Sequence, residues 1–95
     1  MRPYELTFII APDVDEQGIT AIVDQVKGWI TAANGTHTKT DTWGRRRLEY
    51  PIARFNEGYY VFLNFDSEPA ALTELDRNLR LEQKVIRHLV IRADV

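Results

Sequence analysis

Along the first eleven positions Tyr4, Leu6, Phe8 and Ile10 fall on one parity and Glu5, Thr7 and Ile9 on the other. That period of two predicts a half-buried strand from Tyr4 to Ala11. Pro12 breaks the pattern. Asp13, followed three residues later by Glu16, resembles a capping box, in which side chains satisfy the unpaired amides of a helix start. Ile19, Ile22, Val23, Val26, Ile30 and Ala33 then recur at spacings of three and four, with Trp29 at the edge of the stripe, so an amphipathic helix is expected here. Asn34-Gly35 should end it, because glycine enters the left-handed conformation without a steric penalty.

The Thr-rich stretch 36–43 closes on Trp43, and Leu48, Tyr50 and Ile52 resume the period of two after Gly44. Together they predict one long, bent strand, with a bulge at Gly44. Pro51 cannot donate a ladder hydrogen bond and favours a sheet edge or a locally unpaired site. Phe55-Asn56-Glu57-Gly58 has the residues of a turn, and Tyr59 to Phe65 is aromatic and β-branched, so a hairpin is expected to join the second and third strands. Ser67 is the expected cap of a second helix with Pro69 in its first turn and Leu72, Leu75 and Leu79 as its buried stripe. Val85 to Arg92 reads as a last strand.

The order β-α-β-β-α-β, with short connections and right-handed crossovers, gives a ferredoxin-like α+β fold: a four-stranded antiparallel sheet with both helices on one face. The other face is left open. Ile9, Tyr60 and Phe62 lie out of phase with the core set, which makes that face a docking surface or a place for scattered exposed apolar residues.

The 95 residues, 44% apolar and 27% charged, carry no low-complexity tract and are expected to form one domain, residues 1–95. Without cysteine there is no disulfide, thiol nucleophile or thiolate metal site, which suits a reducing interior. No apolar stretch approaches the roughly 20 residues of a membrane span, and Arg2-Pro3-Tyr4-Glu5-Leu6 lacks the apolar block of a secretion signal. A cytoplasmic protein without membrane contact is expected. The formal charge of -2 argues against broad electrostatic attraction to nucleic acid, so any RNA site must be local. Arginine outnumbers lysine nine to three, and guanidinium is the group that pairs with phosphate and stacks on bases.

Enzyme chemistry finds no local support. His37 and His88 are far apart and lie in predicted strands, without a His-x-x-x-His pair, carboxylate cluster or cysteine beside them, so both read as structural and no metal is expected. Asp13, Asp15 and Glu16 are explained by capping and the helix dipole. No GxSxG, glycine-rich phosphate loop or dinucleotide fingerprint occurs. No catalytic residue, cofactor or small-molecule substrate is expected.

The informative segment runs from Trp43 to Arg54. On a strand Arg45 and Arg47 project together and Arg46 oppositely, unless a bulge at Gly44 changes the twist. One side of such a ribbon can grip phosphate; equally, charge can protect an edge strand from pairing with another edge. Arg2, Arg87 and Arg92 are able to extend the positive surface. Arg77 and Arg80 have helical partners in Glu74 and Asp76, three and four residues earlier, and are set aside.

Gly44, Arg46, Leu48, Tyr50 and Ile52 spell Gly-x-Arg-x-Leu-x-Tyr-x-Ile. With Met1-Arg2-Pro3-Tyr4-Glu5, Glu57-Gly58-Tyr59-Tyr60, Leu79-Arg80 and Val85-Ile86-Arg87 in order, the chain resembles, over nearly its whole length, the bacterial small-subunit ribosomal protein number six family. Glu49 departs from the small residue usual in that family, and the longer polar tail of many members is missing. The resemblance implies a structural, non-catalytic role in the cytoplasmic ribosome: binding the central domain of 16S ribosomal RNA in a heterodimer with the eighteenth small-subunit protein. A basic partner also reconciles net acidity with RNA association. Arg2, Arg45, Arg46, Arg47 and Arg87, then Lys84 and Arg92, are the expected RNA-proximal residues. Tyr4, Tyr60 and Phe62 are the expected partner-face residues, with core packing the competing explanation.

Two other classes share the strand order. A reader of the RNA-recognition-motif type stacks single-stranded bases on aromatic residues, and Tyr59-Tyr60-Val61-Phe62 invites that reading; Glu57 stands where the motif has a basic residue, and Tyr60 where it has a small one. A ferredoxin-like small-molecule-binding dimer is the other, since this fold hosts unrelated functions.

Overall fold

The computed structural model describes residues 1–93, so the last two positions of the expected 1–95 domain lie outside the described residues. Its elements are β1 (Arg2–Ile10), α1 (Glu16–Ala32), β2 (Thr36–Ile52), β3 (Phe55–Ser67), a one-turn 3-10 segment Pro69–Ala71, α2 (Leu72–Leu81) and β4 (Val85–Arg92). The sheet order is β2-β3-β1-β4 with every neighbouring pair antiparallel. This is the ferredoxin-like arrangement expected from the pattern, two interleaved βαβ units with β1 and β3 at the centre and the long β2 at one edge.

One face of the sheet and both helices share a core. Leu6 stands opposite Leu63 and Phe8 opposite Val61; they are fully buried together with Val26 of α1 and Leu79 of α2. Ile19, Ile22, Val23, Val26 and Ile30 are the buried stripe of α1, with Trp29 half-buried against it. In α2 Leu75 and Leu79 are buried and Leu72 packs at the rim.

Several boundaries differ from expectation for local reasons. The cap of α1 is Asp15, not Asp13: its Oδ1 accepts from the Gly18 amide at 2.8 Å. At the helix exit it is Asn34 that takes the left-handed conformation, φ 65°. Gly35 is required for space instead, because a Cβ there would come within 2.9 Å of the Asp66 and Ile30 carbonyl oxygens. Ser67 caps no helix; it ends β3 and its Oγ donates to the Glu68 carbonyl oxygen at 3.1 Å. The hairpin turns at Ala53-Arg54, φ 48° and 71°, the two positive values of a type I′ turn. Phe55–Gly58 therefore already belongs to β3, where Phe55 faces Ile52.

Gly44 does mark a bulge, with φ 80° and a register shift between Thr42 and Gly44. A larger shift falls between Arg47 and Ile52, so residues 48–51, Pro51 among them, leave the ladder. They cross the open face. Tyr50, which belongs to one edge strand, accepts a hydrogen bond at its hydroxyl oxygen from the Arg87 guanidinium on the opposite edge strand, three strand spacings or about 14 Å away. Leu48 becomes buried, and Ile9, expected as an exposed open-face residue, is covered to 5% exposure.

Candidate nucleic-acid interface

The β2–β3 hairpin places Arg45 opposite Tyr59, Arg46 opposite Gly58 and Arg47 opposite Glu57. Arg45 reaches diagonally to Glu57, Nη1 to Oε1 3.2 Å. It therefore shares its side of the ribbon with Arg47, as the alternation predicts. Arg46 turns to the other side, its guanidinium carbon 5.7 Å from the Trp43 ring centre. Arg87 lies opposite Ile9 on the open face, 5.8 Å over the Tyr50 ring and hydrogen-bonded to its hydroxyl. Donation to the Tyr50 hydroxyl holds the Arg87 pKa above its ordinary value, opposed by desolvation. Lys84, exposed, precedes β4 at the same end, where its carbonyl oxygen accepts from the Ala11 amide at 2.8 Å.

Arg45, Arg46, Arg47, Lys84 and Arg87 are thus collected at the hairpin end of the sheet. Arg2 and Arg92 are not. Arg2 pairs with Ser67, nine residues along β3 from Gly58, which at about 3.3 Å per residue is roughly 30 Å away. Arg92 pairs with Tyr4 and lies at that far end too. Arg54 is a cation that residue-by-residue expectation missed. It occupies the turn itself, 5.0 Å over the Phe55 ring; its place within the arginine-rich segment was the available signal. Arg77 and Arg80 pair with Glu74 and Asp76 at 2.7 and 3.5 Å on α2.

Of the three aromatic residues expected at a partner face, Tyr60 and Phe62 do lie half-buried on the open face. Tyr4 does not: it is a core residue, 4% exposed and stacked on Phe65 at 5.7 Å. Its even parity puts it with Leu6 and Phe8, under the helices. Tyr60 lines a groove of about 370 Å³ between the crossing arm, at Leu48 and Tyr50, and the β1 and β4 residues Thr7 and Leu89. The arm lies over the position a sheet-face RNA reader would leave bare. Leu89 and Ile91 continue the apolar surface along β4, 60% and 48% exposed.

Both histidines have partners. His37 Nε2 meets Thr40 Oγ1, and His88 Nε2 lies 2.7 Å from Asp76 Oδ1, tying β4 to α2. The hydrogen bond from His88 holds the Asp76 carboxyl below its ordinary range, opposed by desolvation and helped by the His88 and Arg80 charges. Among the described residues no group of three or more His, Asp or Glu side chains is placed to hold a metal, and no helix is long and apolar enough to cross a membrane.

Fold and ribbon together define a class: a ferredoxin-like α+β protein whose bent hairpin carries arginines at one end of an open sheet. The family described as ribosomal protein S6 matches residues 3–92. The chain is 45% identical over 91 residues to the small ribosomal subunit protein bS6 of Clostridioides difficile, covering 96% of this chain and 98% of that one. Against the bS6 of Carboxydothermus hydrogenoformans it is 43% identical over 94 residues, 99% and 98% of the two chains. The crystal structure of 30S ribosomal protein S6 from Thermotoga maritima superposes with a TM-score of 0.94 at 35% identity, covering 98% of this chain and 88% of that chain. The C-terminal domain of MgtC from Mycobacterium tuberculosis, TM-score 0.68 at 16% identity, shares the fold alone. The chain belongs to the ribosomal protein S6 family, whose members are structural proteins of the small ribosomal subunit and not enzymes.

Proposed function

We propose that this chain enters the small ribosomal subunit by binding the central domain of 16S ribosomal RNA jointly with the eighteenth small-subunit ribosomal protein. Its place of work is the cytoplasmic ribosome. The observation that carries the reading is the gathering of Arg45, Arg46, Arg47 and Arg87 at the hairpin end, with Arg45 steadied by Glu57, Arg46 by Trp43 and Arg87 by Tyr50. Guanidinium groups held by neighbours lose less side-chain freedom when they meet phosphate. Lys84 sits among them; Arg2 and Arg92, at the far end, serve a separate contact.

The open face, with Tyr60, Phe62, Leu89 and Ile91, is the seat of the partner protein. A net charge of -2 suits a basic partner, which supplies the remaining phosphate contacts while this chain contributes register and apolar surface. Replacing Arg45, Arg46 and Arg47 by Ala should weaken joint binding to a central-domain RNA fragment. The slope of log affinity against log salt should fall by roughly 0.7–0.9 for each phosphate contact removed, with the thermal midpoint kept. A salt slope identical to that of the parent chain removes the arginine ribbon from the RNA site.

A further inference from the structure

On the β2–β3 half of the open face lies a cleft of about 290 Å³ walled by Trp43 and Phe62 and rimmed by Glu5, Lys39, Asp41 and Asn64. Its origin is the bulge. At φ 80° Gly44 leaves Trp43 as the extra residue between Thr42 and Gly44, and a bulge re-aims the side chain it carries. The indole is turned onto Phe62, ring centres 4.6 Å apart, yet remains 53% exposed. Its Nε1 donates to Asp41 Oδ2 at 3.3 Å, which fixes the ring's orientation. Tyr60 continues the aromatic row, 6.5 Å from Phe62.

The cleft has an aromatic floor and a polar rim, the make-up of a site for a flat ligand with hydrogen-bonding edges. Two carboxylates, Glu5 and Asp41, are matched by two cations, Lys39 at the rim and Arg46 over the indole. An electrically balanced cleft gives little attraction to a bare phosphate. It suits a base, whose ring stacks and whose amine donates to a carboxylate, while Arg46 faces the phosphate that follows. Glu5 stands directly opposite Asn64 across β1 and β3, so an acceptor and an amide lie side by side at one edge.

We infer that this cleft binds one unpaired nucleobase carrying an exocyclic amine, stacked against Trp43, with Glu5 and Asp41 accepting from the amine and Arg46 beside the adjoining phosphate. The inference rests on the RNA-binding reading above and adds a single-base contact to it. It narrows the partner protein's seat to the β4 side of the open face, with Tyr60, Leu89 and Ile91, and moves Phe62 from that seat to the nucleobase side with Trp43.

The test uses the full chain, the eighteenth small-subunit protein and a central-domain RNA fragment, with Trp29→Phe as background so that Trp43 is the sole tryptophan. RNA should quench Trp43 emission, whereas the partner protein alone should leave it unchanged. Trp43→Ala should weaken joint RNA binding roughly 5- to 150-fold, the worth of one stacked base at about 1.4 kcal/mol per tenfold, and Trp43→Phe should restore most of it. Parental RNA affinity in Trp43→Ala, with the triple arginine variant still impaired, overturns the inference and leaves the RNA-binding reading intact. A change in Trp43 emission caused by the partner alone overturns it as well, assigning the cleft to protein. Absence of RNA binding by the parent chain removes both readings.

Discussion

Gly58 shows how one missing side chain shapes the interface. It stands opposite Arg46 on the open face, and a Cβ there would run into Ile9 Cγ2 and come within 3.4 Å of the Ile10 carbonyl oxygen. Backbone of β3 and a side chain of β1 are thus in direct contact, and Ile9 is buried from the open side. Gly58→Ala should lower stability by about 1–3 kcal/mol, the usual consequence of overpacking, read as a shift of the urea midpoint. Ile9→Ala removes the Cγ2 methyl that the new Cβ would meet, so the double variant should lose less than the sum of the two single losses. At Gly44 the surroundings are open, and it is the positive φ that makes a residue with a Cβ costly there.

Elements are joined by few polar ties, and the one between α2 and β4 is sensitive to pH. Asp76 accepts from His88 and pairs with Arg80, and its carboxyl titrates below the ordinary 3.8. A depressed folded pKa means that the stabilisation is fully present above the unfolded value and is lost as pH falls through 3.8 towards the folded value. The Asp76 side chain is half-exposed, so the effect belongs with surface ion pairs, about 0–1 kcal/mol. Asp76→Asn should flatten the decline of the urea midpoint below about pH 4 relative to the parent; parallel curves for the two proteins would show that other carboxylates govern it. The crossing arm is tied differently, by burial of Leu48 and by Tyr50 on Arg87.

Across the whole molecule, charge is divided between two ends of one sheet. Arg2 and the Arg45–Arg47 ribbon are roughly 30 Å apart by register, far beyond the ~10 Å screening length at 0.1 M salt. Energetic coupling between residues so separated is small. In joint RNA binding the losses from Arg2→Ala and Arg46→Ala should therefore add within about 0.5 kcal/mol. A larger coupling in the double variant points to a shared phosphate and to a different path for the RNA.

Local pattern in the sequence determined the strand and helix order, the core parity of Leu6, Phe8, Val61 and Leu63, the α1 stripe, the bulge at Gly44 and the unpaired place of Pro51. Each depends on neighbours a few residues away, and periodicity reports such neighbours directly. The Gly-x-Arg-x-Leu-x-Tyr-x-Ile segment pointed to the family for the same reason. What only the tertiary structure decided depends on distant registers: that Arg87 joins the hairpin arginines while Arg2 and Arg92 do not, that Tyr4 packs on Phe65, and that Ile9 is covered. The arm's crossing from β2 to β4 brings Tyr50 and Arg87 together, 37 positions apart, through four residues released from a ladder. Chain distance carries no trace of that, because pairing across a sheet is set by the burial of many side chains at once.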